Sequence, residues 1–187
     1  MHGKLSPSQG RLLISEPSLR DFYFGKSVVL LIEHSAQDGT FGLIVNKPIN
    51  VKLNEVAKEF PQTDFPVFLG GPVNPDRLFY LHTLGEELPG SIPVFGNVYW
   101  GGDIRKLMDM IDMKLATPEQ VRFFIGYSGW EAGQLDREMG EKSWIVTQAT
   151  DKIVLAQDPD TLWGNTLKKL GYDYAIWANF PSDPILN

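Results

Sequence analysis

The side chains best suited to proton transfer stand at the ends of two apolar runs. Glu33 and His34 close the run Val28–Ile32, and His82 closes a second run just after Tyr80. A carboxylate with two imidazoles could serve as an acid–base pair, and Arg77 could hold an anion against the backbone of Gly70 and Gly71. In the competing reading both histidines are structural hydrogen-bonding residues and Arg77 is a solvated side chain after the turn Asn74-Pro75-Asp76. No H-x-H or H-E-x-x-H spacing occurs, so no metal site is expected.

Two further stretches come close to catalytic motifs. Gly25-Lys26-Ser27 has the ending of a phosphate-binding loop, but Arg20 stands where the earlier glycine is required, and Val28–Ile32 continues as strand rather than helix. Gly126-Tyr127-Ser128-Gly129 resembles a nucleophile elbow, but Trp130 replaces its last glycine. The triad of that design also needs a histidine later in the chain, and His2, His34 and His82 all precede Ser128. The absence of cysteine removes thiol nucleophiles, disulfides and thiolate-bound metals. No cofactor is expected.

The elements that would position these groups are organised around the stretch from Phe123 to Trp144. An apolar run ends among Gly126, Gly129 and Gly133, with Tyr127 and Trp130 between them. The spacing predicts a strand, a glycine-built corner and a helix carrying Ala132, Leu135 and Met139, stopped by a left-handed Gly140. Glu131, Asp136 and Glu138 read as that helix's polar face. Strands are expected at Arg11–Glu16, Ser27–His34, Phe41–Asn46, Val67–Leu69, Leu78–His82 and Val98–Trp100. Three more are expected at Trp144–Thr147, Ile153–Ala156 and Tyr174–Trp177. Ser27–His34 and Phe41–Asn46 should form a hairpin, with Pro48 ending its second strand. Helices are expected over Leu53–Phe60, after an Asp103 N-cap, and after Asp158-Pro159. Leu84–Pro93 reads as loop.

Strands outnumber helices and no repeat appears, so the fold class is α/β (α+β): one domain over 11–187 on a mixed sheet, behind a flexible tail, 1–10. A length of 187 residues, 43% hydrophobic and 21% charged, suits such a domain. No apolar run approaches the ~20 residues of a membrane span, and the opening residues lack a secretory signal, so no membrane association and a cytoplasmic location are expected. Net charge is −6 with dispersed basic residues, which argues against direct nucleic-acid binding.

The segments SVVLLIEH, GTFGLIVNKP, FLGGPVNPDRLFYLH and FIGYSGWEAGQLDREMGEKSW, in that order, are similar to the YqgE/AlgH family of bacterial proteins. The likeness runs from about Gly10 to Trp144 and returns weakly in the C-terminal helix. It implies a mixed α/β fold with a bent sheet curling toward a pseudo-barrel, flanked by about four short helices. The family is largely uncharacterised, and no catalytic residues carry over. One branch is labelled a transcriptional regulator through a role in alginate control. This sequence departs from the family at Ser128, where alanine is common, and in its C-terminal NFPSDPILN.

The functional expectation is a regulatory or adaptor protein contacting an unidentified protein or small molecule. Its surface would be the pole where Asn46, Gly70, Gly71, Tyr127, Trp130 and Gln134 could meet. The alternative is a small-molecule binder or enzyme whose pocket gathers Glu33, His34, Arg77 and His82. A direct DNA-binding repressor is the third reading, and it requires affinity that falls steeply with salt.

Overall fold

The computed structural model describes residues 5–178. The NFPSDPILN tail and residues 1–4 lie outside the described residues. Leu5 packs against the core, Gln9 Nε2 donates to Pro93 O at 3.1 Å, and Gly10 N donates to Leu31 O at 2.8 Å.

Ten strands form one bent, open sheet: β1 (Arg11–Ser15), β2 (Val28–Ser35), β3 (Gly39–Ile44), β4 (Pro48–Lys52), β5 (Pro66–Leu69), β6 (Val73–His82), β7 (Ile92–Phe95), β8 (Val98–Trp100), β9 (Val121–Trp130) and β10 (Trp144–Gln148). Six α-helices flank it among the described residues: α1 (Leu53–Val56), α2 (Ile104–Asp112), α3 (Gln134–Gly140), α4 (Asp151–Val154), α5 (Leu162–Leu170) and α6 (Tyr172–Trp177). The strand order is β10-β1-β2-β3-β9-β6-β8-β7, with β5 joining β9 in parallel and β4 outside β5. Every other pairing is antiparallel.

Side chains alternate across a strand, so a strand buried on both faces feeds two cores. In β2, Val28, Leu30 and Ile32 enter one cluster while Val29 and Leu31 enter another. The first cluster contains Val94 and Val98 from the far end of the sheet together with Leu12 and Ile14, so the sheet curls over its own inner face. Val154, Leu162, Trp163 and Leu167 close that face. A third cluster packs Phe123 and Val121 of β9 against Leu107, Met110 and Ile111 of α2.

Several local expectations hold and several change. The β2–β3 hairpin forms, and Asp103 caps α2 by accepting from Arg105 N at 2.9 Å and Lys106 N at 3.1 Å. Pro48 begins a strand instead of ending one, and Pro48 is tolerated because β4 lies at an edge. The helix expected from Leu53 to Phe60 is a single turn, although Leu53, Ala57 and Phe60 still bury together. The glycine- and proline-rich stretch before Pro93 ends in β7. The strand expected at Ile153–Ala156 is replaced by the end of α4 and the turn after it, and Tyr174–Trp177 is helical. Thr150 caps α4, its hydroxyl accepting from Ile153 N, and so diverts a short apolar run from strand to helix.

The central stretch departs furthest from expectation. β9 continues through Gly126 and Gly129 as far as Trp130, and the turn into α3 is made by Gly133 at φ 72°. Gly140 lies inside α3, and the left-handed residue after the helix is Lys142 at φ 61°.

The glycines of β9 serve a chain crossing. β5 lies on one side of β9 and β6 on the other, with only Gly70, Gly71 and Pro72 between them. The chain must therefore pass over β9, and it does so at Gly126–Ser128. A Cβ on Gly70 would sit 2.3 Å from Gly126 O, one on Gly71 2.3 Å from Tyr127 C, and one on Gly126 2.4 Å from Gly71 O. Backbone meets backbone there with no room for a side chain.

Candidate functional site

The crossing also determines which part of β9 remains open. β6 pairs with β9 from His82↔Val121 to Val73↔Tyr127 and then leaves it. Ser128–Trp130 pair with β3 on the opposite side, through Gly42↔Ser128 and Thr40↔Trp130. Among the described residues no strand pairs with the other edge of this segment; Ser128 is fully buried beneath the crossing, and a cleft opens beside Gly129 and Trp130.

The cleft has a volume of about 760 Å³. Glu33, His34 and Ser35 from the end of β2 line it, with Asp38 to Phe41, Val73, Tyr127, Gly129, Trp130, Glu131 and Gln134. The β2–β3 register shifts between Leu31 and Glu33, a bulge that re-aims the end of β2. The His34 ring is held by a 2.8 Å hydrogen bond between its Nδ1 and Thr40 Oγ1, and Asp38 accepts from Ser35 Oγ at 2.8 Å.

One wall is aromatic. Phe41 lies 5.1 Å from Tyr127 and 5.2 Å from Trp100 by ring centroid, and Tyr127 lies 5.7 Å from Phe79. The Tyr127 ring leans over Gly129, its Cε2 3.1 Å from where a Cβ would be. Trp130 is locked from behind: its indole N–H donates to Glu138 Oε2 at 2.9 Å, and the Trp144 indole donates to the same oxygen at 2.7 Å. Gln134 Nε2 donates to the other Glu138 oxygen at 2.9 Å, while Gln134 Oε1 accepts from Glu131 N at 3.0 Å. Glu138 thus organises the cleft's supporting wall and is not simply part of a solvated helix face. Its position four residues after Gln134 and between two tryptophans was the available sequence signal.

The expected site residues divide. Glu33, His34, Tyr127, Trp130 and Gln134 line this one cleft. Arg77 is exposed and lines a different depression, with Asp76, Phe79 and Trp100. His82 is fully buried under neither surface: Leu84 N donates to its Nδ1 at 3.2 Å, placing the ring proton on Nε2, which lies 3.0 Å from Gly101 O. It stacks on Tyr99 at 5.9 Å. The proposed gathering of Glu33, His34, Arg77 and His82 in one pocket therefore does not occur. Gly70 and Gly71 form the crossing and not an anion nest. Asn46 is a buried clamp, accepting from Val28 N at 2.7 Å and donating to Lys26 O at 3.0 Å.

Burial lowers the His82 pKa from its ordinary 6.5, and the hydrogen bond to Gly101 only partly opposes this. As pH falls below 6.5 the unfolded chain binds this proton before the folded one does, so stability falls with pH down to the folded pKa and levels off below it. Denaturant midpoints measured across that range should fall toward acid in the wild type, and His82→Gln should flatten this slope.

Sequence reasoning passed over Arg122, which is 2% exposed. Its guanidinium donates to Val154 O at 2.8 Å and Ala156 O at 2.6 Å and lies 4.3 Å from the Phe68 ring centroid. Burial pushes its pKa down to about 10, leaving it charged at neutral pH. A lone basic residue inside the run VRFFIG was the signal, since a buried charge must find partners.

Among the described residues no group of three or more His, Cys, Asp or Glu side chains could hold a metal, and no helix is long and apolar enough to cross a membrane.

The architecture, one α/β domain on a large, open, mostly antiparallel sheet, is shared with solved proteins. It superposes on the solution structure of the AlgH protein from Pseudomonas aeruginosa with a TM-score of 0.72 at 27% identity, covering 95% of this chain and 97% of that one. The crystal structure of protein DIP2367 from Corynebacterium diphtheriae matches with a TM-score of 0.75 at 23% identity, over 95% and 94% of the two chains, a likeness of fold. A UPF0301 protein of Bacteroides fragilis is 43% identical over 182 residues, covering 97% of this chain and 92% of the relative. A UPF0301 protein of Parabacteroides distasonis is 40% identical over 188 residues, covering 100% and 94%. A family profile described as AlgH-like matches residues 12–175, further into the C-terminal helices than the four sequence segments reach. The chain belongs to the AlgH-like family.

Proposed function

We propose that this protein is a non-catalytic adaptor or regulatory protein that captures an extended segment of a protein partner along the open edge of β9. One observation carries the reading: Gly129 and Trp130 extend β9 beyond its pairing with β6, inside a cleft already walled by aromatic and polar side chains. Added strands gain affinity from main-chain hydrogen bonds and specificity from alternate side chains. His82, one of the two imidazoles considered for acid–base chemistry, is engaged in structural hydrogen bonds away from the cleft.

Trp130 is unsuitable for testing this reading, because it is 5% exposed and bonded to Glu138, so its loss would disturb the fold. A photocrosslinking side chain at exposed Gln37 or Ala132, flanking the cleft, should trap the same protein species in native extract. The same group at Met113, 68% exposed and outside the cleft's lining, should not. Equal trapping from all three positions, or none from the cleft, would contradict the assignment.

A further inference from the structure

The charges around the cleft indicate what the captured segment carries. Glu33 and Glu131 are exposed at its two sides, and Asp38 stands in the hairpin turn beside them. Among the described residues the Glu33 and Glu131 carboxylates make no hydrogen bond or ion pair. No lysine or arginine lines the cleft. The aromatic wall adds the faces of Phe41 and Tyr127, which attract cations through their ring quadrupoles. An anionic segment would meet carboxylates with no counter-charge, whereas a cationic side chain would gain both a carboxylate and an aromatic face.

Resting on the adaptor reading above, we propose that the partner segment is an extended basic peptide, with arginine or lysine at alternate positions, lying beside Gly129 and Trp130. Alternation follows from strand geometry: successive side chains of an added strand point to opposite faces, so only every second one reaches the cleft wall. A small polyamine would satisfy the carboxylates, but it would leave the strand edge unused.

The test uses a short labelled peptide alternating arginine and valine, with three comparators: glutamine for arginine, the arginine peptide with alternate backbone nitrogens methylated, and spermine as competitor. The arginine peptide should bind the full chain, and the glutamine peptide should bind about tenfold or more weakly, as expected for losing desolvated charge pairs. Methylation should abolish binding although the charge is unchanged. Glu33→Gln and Glu131→Gln, both at exposed positions, should each weaken the arginine peptide, with unchanged circular dichroism showing that the fold persists. Binding untouched by both variants would place the peptide elsewhere on an acidic surface and overturn the inference. Full displacement by spermine, or indifference to methylation, would overturn the strand-addition geometry. Equal binding of arginine and glutamine peptides, lost when the cleft is blocked by a bulky side chain at Ala132, would overturn the charge preference alone and leave the adaptor reading standing.

Discussion

Gly71→Ala should cost about 4 kcal/mol and lower the thermal midpoint by roughly 8–16 °C, at about 2–4 °C per kcal/mol for a chain of this length. Two effects combine. Gly71 adopts φ 153°, at the edge of the range that disfavours an L side chain, which contributes strain of about 1–3 kcal/mol. The new Cβ would also stand 2.3 Å from Tyr127 C and O and 2.4 Å from Ser128 N. Those are backbone atoms of the central strand, so they cannot rotate aside, and overpacking of this kind costs about 1–3 kcal/mol or more. Gly164→Ala is the control. Its Cβ would meet nothing nearer than 3.6 Å, and it lies inside α5. That substitution should be neutral or stabilise by up to about 1 kcal/mol, because alanine favours the helix. Paired denaturation curves decide the matter: similar midpoints for the two variants would show that the crossing is not the close contact described.

Arg122→Met should cost about 3 kcal/mol. Methionine fills much of the same volume, so the effect isolates the guanidinium. Its removal orphans Val154 O at the end of α4 and Ala156 O just beyond, and each unsatisfied buried group costs about 1–3 kcal/mol. No acidic partner is stranded, which keeps the loss below that of a broken buried ion pair. Arg122→Lys should recover only part of the stability, because one ammonium cannot fork to two carbonyls as the guanidinium does. A Met variant as stable as wild type, with α4 amides still protected from exchange, would show that the carbonyls find other partners.

These two residues show how far the sequence could be read. The apolar run Val28–Ile32 announces a strand buried on both faces, and all five residues are fully buried. Asp103 announces its helix, since an N-cap is a local signal. The cleft was legible only in its parts: Glu33 and His34 at a strand end, and Tyr127, Trp130 and Gln134 among glycines, were singled out in two separate groupings, and only the fold brings them to one cleft. The chain crossing was not legible. Gly70, Gly71 and Gly126 signal close approach or positive φ, but only the pairing of β5 and β6 on opposite sides of β9 reveals what approaches what. His82 and Arg77 misled for a related reason. Both belong to β6, yet one side chain is buried beneath the Gly101 backbone while the other is exposed, and a sequence does not state which face a neighbouring strand covers. The helix α4 was missed because Ile153–Leu155 is too short for its period to show, and tertiary contacts decided it.

Amide hydrogen exchange along β9, compared with and without the trapped partner, is the most direct probe of the cleft as a binding edge. β6 leaves Gly129 and Trp130 uncovered at the cleft, so partner binding should slow exchange at residues 129–130 and along residues 33–41 facing them. Exchange around Arg77, in the separate depression, should not change. Protection at Arg77 with β9 unaffected would contradict the account and move the contact surface to the other side of the aromatic wall.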